Sequence, residues 1–151
     1  MNLAIIIVGF NSKKYLSDCL RALRKADKTD KTKVFFIDND SSDESVLFIR
    51  KNFPEVMVIE SKKNLGFAGG NNLGIEEAIK TGADHILLLN PDTIIDQNCL
   101  KVLESKADTQ TILQPLILLH LDGKMTDLVN TSGNHLNFLG CLLYTSPSPR
   151  D

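Results

Sequence analysis

The chain has 151 residues, 42% hydrophobic and 24% charged, with a net charge of −2. Those values fit one ordinary globular domain, able to bury roughly 68–70% of its unfolded surface. The acidic balance argues against nucleic acid as a partner, because a phosphate-tracking surface needs a Lys/Arg excess. No apolar run approaches the roughly 20 residues of a membrane helix. The run at residues 3–8 is too short for a signal peptide and has no basic residue before it. Cys19, Cys99 and Cys141 form no CxxC and no even-numbered framework, as expected of a reducing compartment.

In chain order, residues 3–8 are a continuous aliphatic strand of the kind buried on both faces. Asn11 and Ser12 are good caps for a helix whose Tyr15, Leu16, Cys19, Leu20 and Leu23 share one stripe. Residues 33–38 are a second strand. Ser41 with Glu44 reads as a capping box opening a short helix through Val46, Leu47 and Ile49. Pro54 breaks it, and residues 56–60 are a third strand. A glycine-rich loop at 61–70 precedes a helix starting near Gly70 or Asn71 and running to about Lys80, with Gly82 as its stop. Residues 85–90 are a fourth strand. Asp96 caps a helix with Leu100 and Leu103 inward. Residues 111–121 are a fifth strand, and Asp122-Gly123 is a turn signal.

Strands alternating with helices predict an α/β fold: a mostly parallel sheet with helices on both faces and Rossmann-like nucleotide-binding geometry. The last eleven residues, 141–151, resemble a translated sequencing-library adapter, whose codons spell Cys-Leu-Leu-Tyr-Thr-Ser-Pro-Ser-Pro-Arg-Asp in order. Such a scar is excluded from fold reasoning. The expectation is that residues 1–140 are natural and form the N-terminal part of a larger, truncated domain.

In open parallel sheets ligands bind outside the carboxyl ends of the strands. That rule selects the loops 9–12, 38–43, 61–72 and 90–93, which are also the richest in Gly, Asn, Asp and Ser. Asp38 ends the second strand. A carboxylate there can accept a ribose hydroxyl or the N3–H of uracil or thymine, and selects against cytosine, which has an acceptor at that position. A turn or cap aspartate is the alternative. The first loop has one glycine, so neither G-x-G-x-x-G nor a Walker loop is present. Gly66, Gly69 and Gly70 let a ligand approach the main chain. A helix starting near Gly70 offers N–H groups to an anion. Asn64, Asn71 and Asn72 suit sugar hydroxyls. Asp92, after Asn90-Pro91, can hold Mg²⁺ or Mn²⁺ on a diphosphate, since such ions need only one or two protein carboxylates; an Asx turn explains it equally well. The histidines show no ligand spacing, and no Ser-His-Asp set or G-x-S-x-G elbow supports hydrolysis.

Together the four loops resemble glycosyltransferase family 2, with its GT-A fold. The carrying residues are Ile6-Ile7-Val8-Gly9-Phe10-Asn11-Ser12, Ile37-Asp38-Asn39-Asp40-Ser41-Ser42-Asp43, residues 64–74 from Asn64 to Gly74, and Leu88-Leu89-Asn90-Pro91-Asp92-Thr93. Gln114-Pro115, Leu121-Asp122-Gly123 and Ser132-Gly133 also look like the family's next segments. The loop versions look most like rhamnosyltransferase-type members that build cell-surface polysaccharide. The resemblance implies sugar transfer with inversion from a dTDP- or UDP-linked donor to a glycan or lipid-linked acceptor, in the cytoplasm at the inner face of the membrane. Asp38 and Asn39 would bind the nucleoside, with Phe10 and Asn11 flanking it. Asn64, Gly66, Phe67, Gly69, Gly70 and Asn71 would line ribose and diphosphate. Asn90 would reach the ribose and Asp92 the divalent ion. The first acid of the family's Asp-x-Asp is Asn90 here, so one metal charge is missing. The general base lies further along the family's chain than residue 140, so no catalytic residue is assigned here, and these residues alone are expected not to turn over. The competing classes are a non-catalytic nucleotide-binding module and a nucleotidyltransferase. The latter would carry a Gly- and Arg/Lys-rich first loop, which residues 9–12 do not supply.

Overall fold

The computed structural model describes residues 1–27, 30–108, 112–121, 124–131, 134–136 and 142–144. They fall into two compact units, Met1–Glu104 and Ser105–Asp151. The first unit holds β1 (Leu3–Gly9), α1 (Lys13–Lys25), β2 (Lys33–Asp38), α2 (Ser45–Asn52), β3 (Met57–Glu60), α3 (Gly66–Lys80) and β4 (His85–Leu89), with α4 (Cys99–Lys106) beginning near its end. The strands form one parallel sheet in the order β3-β2-β1-β4.

Helices cover both faces because β1 and the interior of β2 are apolar at every step, which suits a strand buried on two sides. On one face Leu3, Ile5 and Ile7 of β1 and Val34 and Phe36 of β2 meet Leu16, Cys19, Leu20 and Leu23 of α1, Ile49 of α2 and Leu100 of α4. On the other, Ala4, Ile6, Phe35 and Ile37 meet Leu73, Ile75 and Ala78 of α3. The α/β class, the sheet and the two-sided helix cover agree with the sequence reading.

Three local expectations are corrected. α3 begins at Gly66, about one turn before the predicted start at Gly70 or Asn71. Glycine disfavours helix in isolation, but close packing overrides that here. A Cβ on Gly70 would lie 2.6 Å from Val8 Cγ1, and one on Gly74 would lie 2.5 Å from Ile6 Cγ2. These two glycines, one helical turn apart, let α3 sit against β1. Second, Ser41 and Glu44 form no capping box: α2 starts at Ser45, and its cap residue Glu44 is left-handed (φ 62°) with no side-chain cap bond. Third, the predicted fifth strand does not join the parallel sheet.

That strand belongs to the second unit. It is β5 (Ile117–Leu121), paired antiparallel with β6 (Lys124–Thr131). An Asp-Gly pair between two strands is a hairpin signal, and it outweighs the α/β alternation at this point; Asp122 and Gly123 themselves lie outside the described residues. β7 (Asn134–Leu136) pairs antiparallel with β8 (Leu142–Tyr144). The remainder of the expected adapter-derived tail lies outside the described residues, as does Ser132-Gly133. Gly82, at φ +80°, terminates α3 as predicted.

Candidate functional site

The register brings the strand ends level. Gly9 of β1 lies opposite Asp38 of β2, and Asp38 opposite Glu60 of β3. β1 is flanked by β2 and β4, so the chain changes direction in the sheet between β1 and β4. That is where open α/β sheets bind ligands.

Asp38 is 5% exposed. Its Oδ2 accepts the Ser41 N–H at 3.1 Å. Its Oδ1 is buried and has no hydrogen-bond partner. A buried carboxylate oxygen without a donor is costly in a folded chain, and a ligand N–H or O–H, or a water, would satisfy it. The turn-aspartate alternative holds for Oδ2, which accepts the Ser41 N–H, and leaves Oδ1 unused.

Asn39 is 3% exposed and engaged inside the protein. Its amide donates to Asn64 Oδ1 at 2.9 Å and to the Gly66 carbonyl at 3.2 Å, while its Oδ1 accepts the Leu65 N–H at 2.8 Å. Its backbone N–H donates to the Gly9 carbonyl. Asn64 Oδ1 also accepts the Gly66 N–H. Asn39 and Asn64 therefore brace the start of α3 against the end of β2, and their internal bonds are not available to a sugar. Asn71, expected among the ligand contacts, is buried and turns its amide back to the Phe67 carbonyl. Gly70 is buried against Val8, and a Cβ on Gly69 would meet Leu65. Gly70 thus serves the packing of α3 against β1, where the sequence expectation had a ligand reaching the main chain, while Gly69 is half-buried. Gly66 and Phe67 remain exposed at the first turn of α3.

Phe10 is exposed beside the end of β1. Asn11 is left-handed (φ 50°). Its backbone N–H donates to Ser41 Oγ at 3.0 Å, and its Oδ1 accepts the Ser42 N–H at 2.8 Å. The β1–α1 and β2–α2 loops are thereby latched together. Asn90 and Asp92 are exposed after β4. That turn is tied to α1, where the buried Cys19 thiol reaches the Asn90 carbonyl at 3.8 Å. Burial first, then the Asp92 carboxylate, pushes the Cys19 thiol up to about 12, so it stays protonated and can donate. The predicted core role of Cys19 stands.

Among the described residues no group of three or more His, Cys, Asp or Glu could hold a metal ion. Asp92 offers a single exposed carboxylate at the end of β4. This donor set fits a divalent ion only when a diphosphate supplies further oxygens, as Mg²⁺ and Mn²⁺ commonly accept.

Sequence reasoning passed over Asp43. Its Oδ2 accepts the Lys13 N–H at 2.8 Å, and its Oδ1 accepts from the Ser45 N–H and hydroxyl. Its spacing two residues before Ser45 is the usual Asx signal, masked by the capping-box reading. Burial works against the ionised form of Asp43, but the bonds from Ser45 and Lys13 outweigh it and hold the carboxyl below its ordinary range. A folded-state value below the unfolded one stabilises the fold above the unfolded value and loses that contribution as pH falls through the folded one. The Lys13 and Ser45 amides should therefore keep their exchange protection through the ordinary aspartate value of about 4 and lose it only at lower pH. NMR-detected hydrogen exchange against pH checks this; protection lost at or above about pH 4 contradicts it.

Comparison with known proteins agrees with this architecture. Low-salt glycan biosynthesis hexosyltransferase Agl10 of Haloferax volcanii is 27% identical over 120 residues, covering 78% of this chain and 37% of the relative. The S. aureus TarS 1–349 structure in complex with UDP-GlcNAc superposes with a TM-score of 0.62 at 25% identity, over 70% of this chain and 30% of that one. The mannosyltransferase PcManGT of Pyrobaculum calidifontis, in complex with GDP-Man and Mn²⁺, gives 0.54 at 17% identity over 66% and 30%. This last likeness is one of fold. The chain thus spans about a third of the length of these relatives. With residues 4–123 matching the glycosyl transferase family 2 domain, the chain belongs to that family.

Proposed function

We propose that residues 1–140 are the donor-binding part of a longer glycosyltransferase that takes a UDP- or dTDP-linked sugar and transfers it to an acceptor hydroxyl with inversion. One observation carries the nucleotide assignment: Asp38 Oδ1 is buried, unpartnered and level with the strand ends. An imide N3–H of uracil or thymine meets that oxygen; cytosine presents a lone pair and is repelled. The GT-A architecture and the UDP-GlcNAc bound to TarS support the same class of donor. Phe10 flanks the nucleoside, and the exposed first turn of α3, at Gly66 and Phe67, faces the diphosphate. Asp92 holds the divalent ion. When bound, that ion offsets the charge developing on the departing diphosphate. Rhamnose is the proposed sugar, and a polysaccharide or lipid-linked glycan the proposed acceptor. The general base comes from a part of the enzyme outside these residues.

Among the described residues no helix is long and apolar enough to cross a membrane. The proposed place of work is the cytoplasmic face of the membrane.

Calorimetric titration tests the reading. UDP and dTDP should bind the 151-residue chain more tightly with Mn²⁺ than without, and CDP should bind weakly. Asp92→Ala should remove the Mn²⁺ increment, about 1–3 kcal/mol for one charged partner, while leaving metal-free UDP binding in place. Equal affinity for UDP and CDP would refute the Asp38 assignment.

A further inference from the structure

We propose that Asp43 is a positioning residue of the nucleotide subsite, acting through a clasp between the β1–α1 and β2–α2 loops and touching no ligand itself. The proposal rests on the donor-site reading above.

Several independent observations converge on it. Neither helix flanking the subsite is closed by its own cap residue. Ser12 before α1 and Glu44 before α2 make no side-chain cap bond, and the Ser12 hydroxyl is buried without a partner. Asp43 supplies both. One carboxylate oxygen takes the Lys13 N–H at the start of α1, and the other takes the Ser45 N–H and hydroxyl at the start of α2. A single side chain thus fixes two helix starts, and its bond to Lys13 spans 30 residues of sequence.

The second observation is where backbone strain sits. Among the described residues the non-glycine positions with positive φ are Asn11, Asp40 and Glu44, and all lie in these two loops. Such conformations cost free energy and persist when surrounding contacts over-determine them. The surrounding contacts are present: Asn11 exchanges bonds with Ser41 and Ser42 across the loops, and Lys13 Nζ meets Glu44 Oε2 at 2.8 Å. The Lys13–Glu44 pair is exposed and contributes little by itself. The Asp43 bonds are half-buried and charge-assisted, so they are the stronger part of the clasp.

The third observation is what the clasp carries. Phe10 and Asn11 lie immediately before α1. Asp38, whose Oδ2 is held by the Ser41 N–H, lies immediately before the second loop. If the clasp opens, Ser41 moves and Asp38 loses the bond that aims its free oxygen. Asp43 therefore sets the direction of Asp38 through the backbone at 41–43.

The test combines hydrogen exchange with UDP binding on the 151-residue chain, in Asp43→Ala and Asp43→Asn. In Asp43→Ala the amides of Asn11, Lys13, Ser41, Ser42 and Ser45 should exchange at least about tenfold faster, the scale of a lost charge-assisted bond. The amides of β1 and β2 should keep their protection. UDP affinity should fall by about tenfold or more for the same reason. Asp43→Asn should recover most of that affinity, because its carboxamide oxygen still accepts the Lys13 N–H. If Asn11, Ser41 and Ser42 keep wild-type protection in Asp43→Ala, or if the loops open while UDP affinity holds, the proposal is overturned. Should the parent chain bind no UDP, the donor-site reading fails, and the exchange at Asn11, Ser41 and Ser42 still decides whether the clasp exists. Should Asp43→Ala unfold, as loss of β1 and β2 protection would show, Asp43→Asn decides. It then should open Ser45 but spare Lys13, and uniform protection would contradict the clasp.

Discussion

Replacement of Asp38 by asparagine should weaken UDP binding by about 10- to 100-fold, the range of a hydrogen bond to a charged group, and raise binding of CDP relative to UDP. The new carboxamide keeps an oxygen for the Ser41 N–H that Oδ2 accepts now. Its NH₂ then occupies the place of the unpartnered Oδ1. The site changes from acceptor to donor at that point. Uracil, with N3–H, meets donor against donor; cytosine, with a bare N3, meets its complement. The same substitution exchanges a buried, unpartnered carboxylate oxygen for an equally unpartnered NH₂ in the ligand-free chain, so the melting temperature should change little. Paired calorimetry and thermal melts check both halves. Loss of stability without a change in base preference would mean that Asp38 is a structural residue.

The second large effect lies in the core. Gly74→Val should destabilise the chain by about 3 kcal/mol or more, since overpacking typically costs roughly 1–3 kcal/mol and a β-branched side chain adds further atoms. Even the first added carbon lands 2.5 Å from Ile6 Cγ2 and 3.1 Å from Ile37 Cγ1. Both neighbours are fully buried, so neither has room to withdraw. α3 would have to lift from β1. The contrasting glycine is Gly82, around which a Cβ meets nothing within 4 Å but where φ is +80°. Gly82→Ala should cost only about 1 kcal/mol, from backbone strain alone. Urea melts of the two variants separate these causes. An Ile6→Ala partner should cost less beside Gly74→Ala than alone, because the freed volume accepts the new methyl. Strict additivity would contradict direct contact.

The two central strands were readable because their chemistry is redundant. In residues 3–8 and 33–38 every interior position is apolar, the two-sided burial pattern is unmistakable, and the observed β1 and β2 match within a residue. The start of α3 was not readable. Its glycines disfavour helix locally, and the reason for them is Val8 and Ile6, on a strand at the other end of the unit's sequence. The place of Asp38 at a strand end was legible. That Asn39 spends both ends of its side chain internally, and Asn64 and Asn71 one end of theirs, was not, since an asparagine in a loop looks the same whether it faces a sugar or braces a turn. The capping-box expectation failed because Ser41 is used by Asn11 and Asp38, contacts that no local spacing reports. The Asp122-Gly123 hairpin signal was present in the sequence and was outvoted by a β-α alternation that had held for four strands.

The bracing by Asn39 changes how ligand binding should be thought of thermodynamically. One buried carboxamide makes three bonds that join the end of β2 to residues 64–66. A glycine-rich segment would otherwise sample many conformations, and ordering it costs about 1–2 kcal/mol of conformational entropy per residue. Here that ordering is completed when the sheet folds. On the donor-site proposal, a nucleotide arriving at the carboxyl edge would meet a wall already in place, and its affinity would not be reduced by chain ordering. The heat-capacity change on binding then reflects the apolar surface covered by the base, rather than a loop freezing into shape.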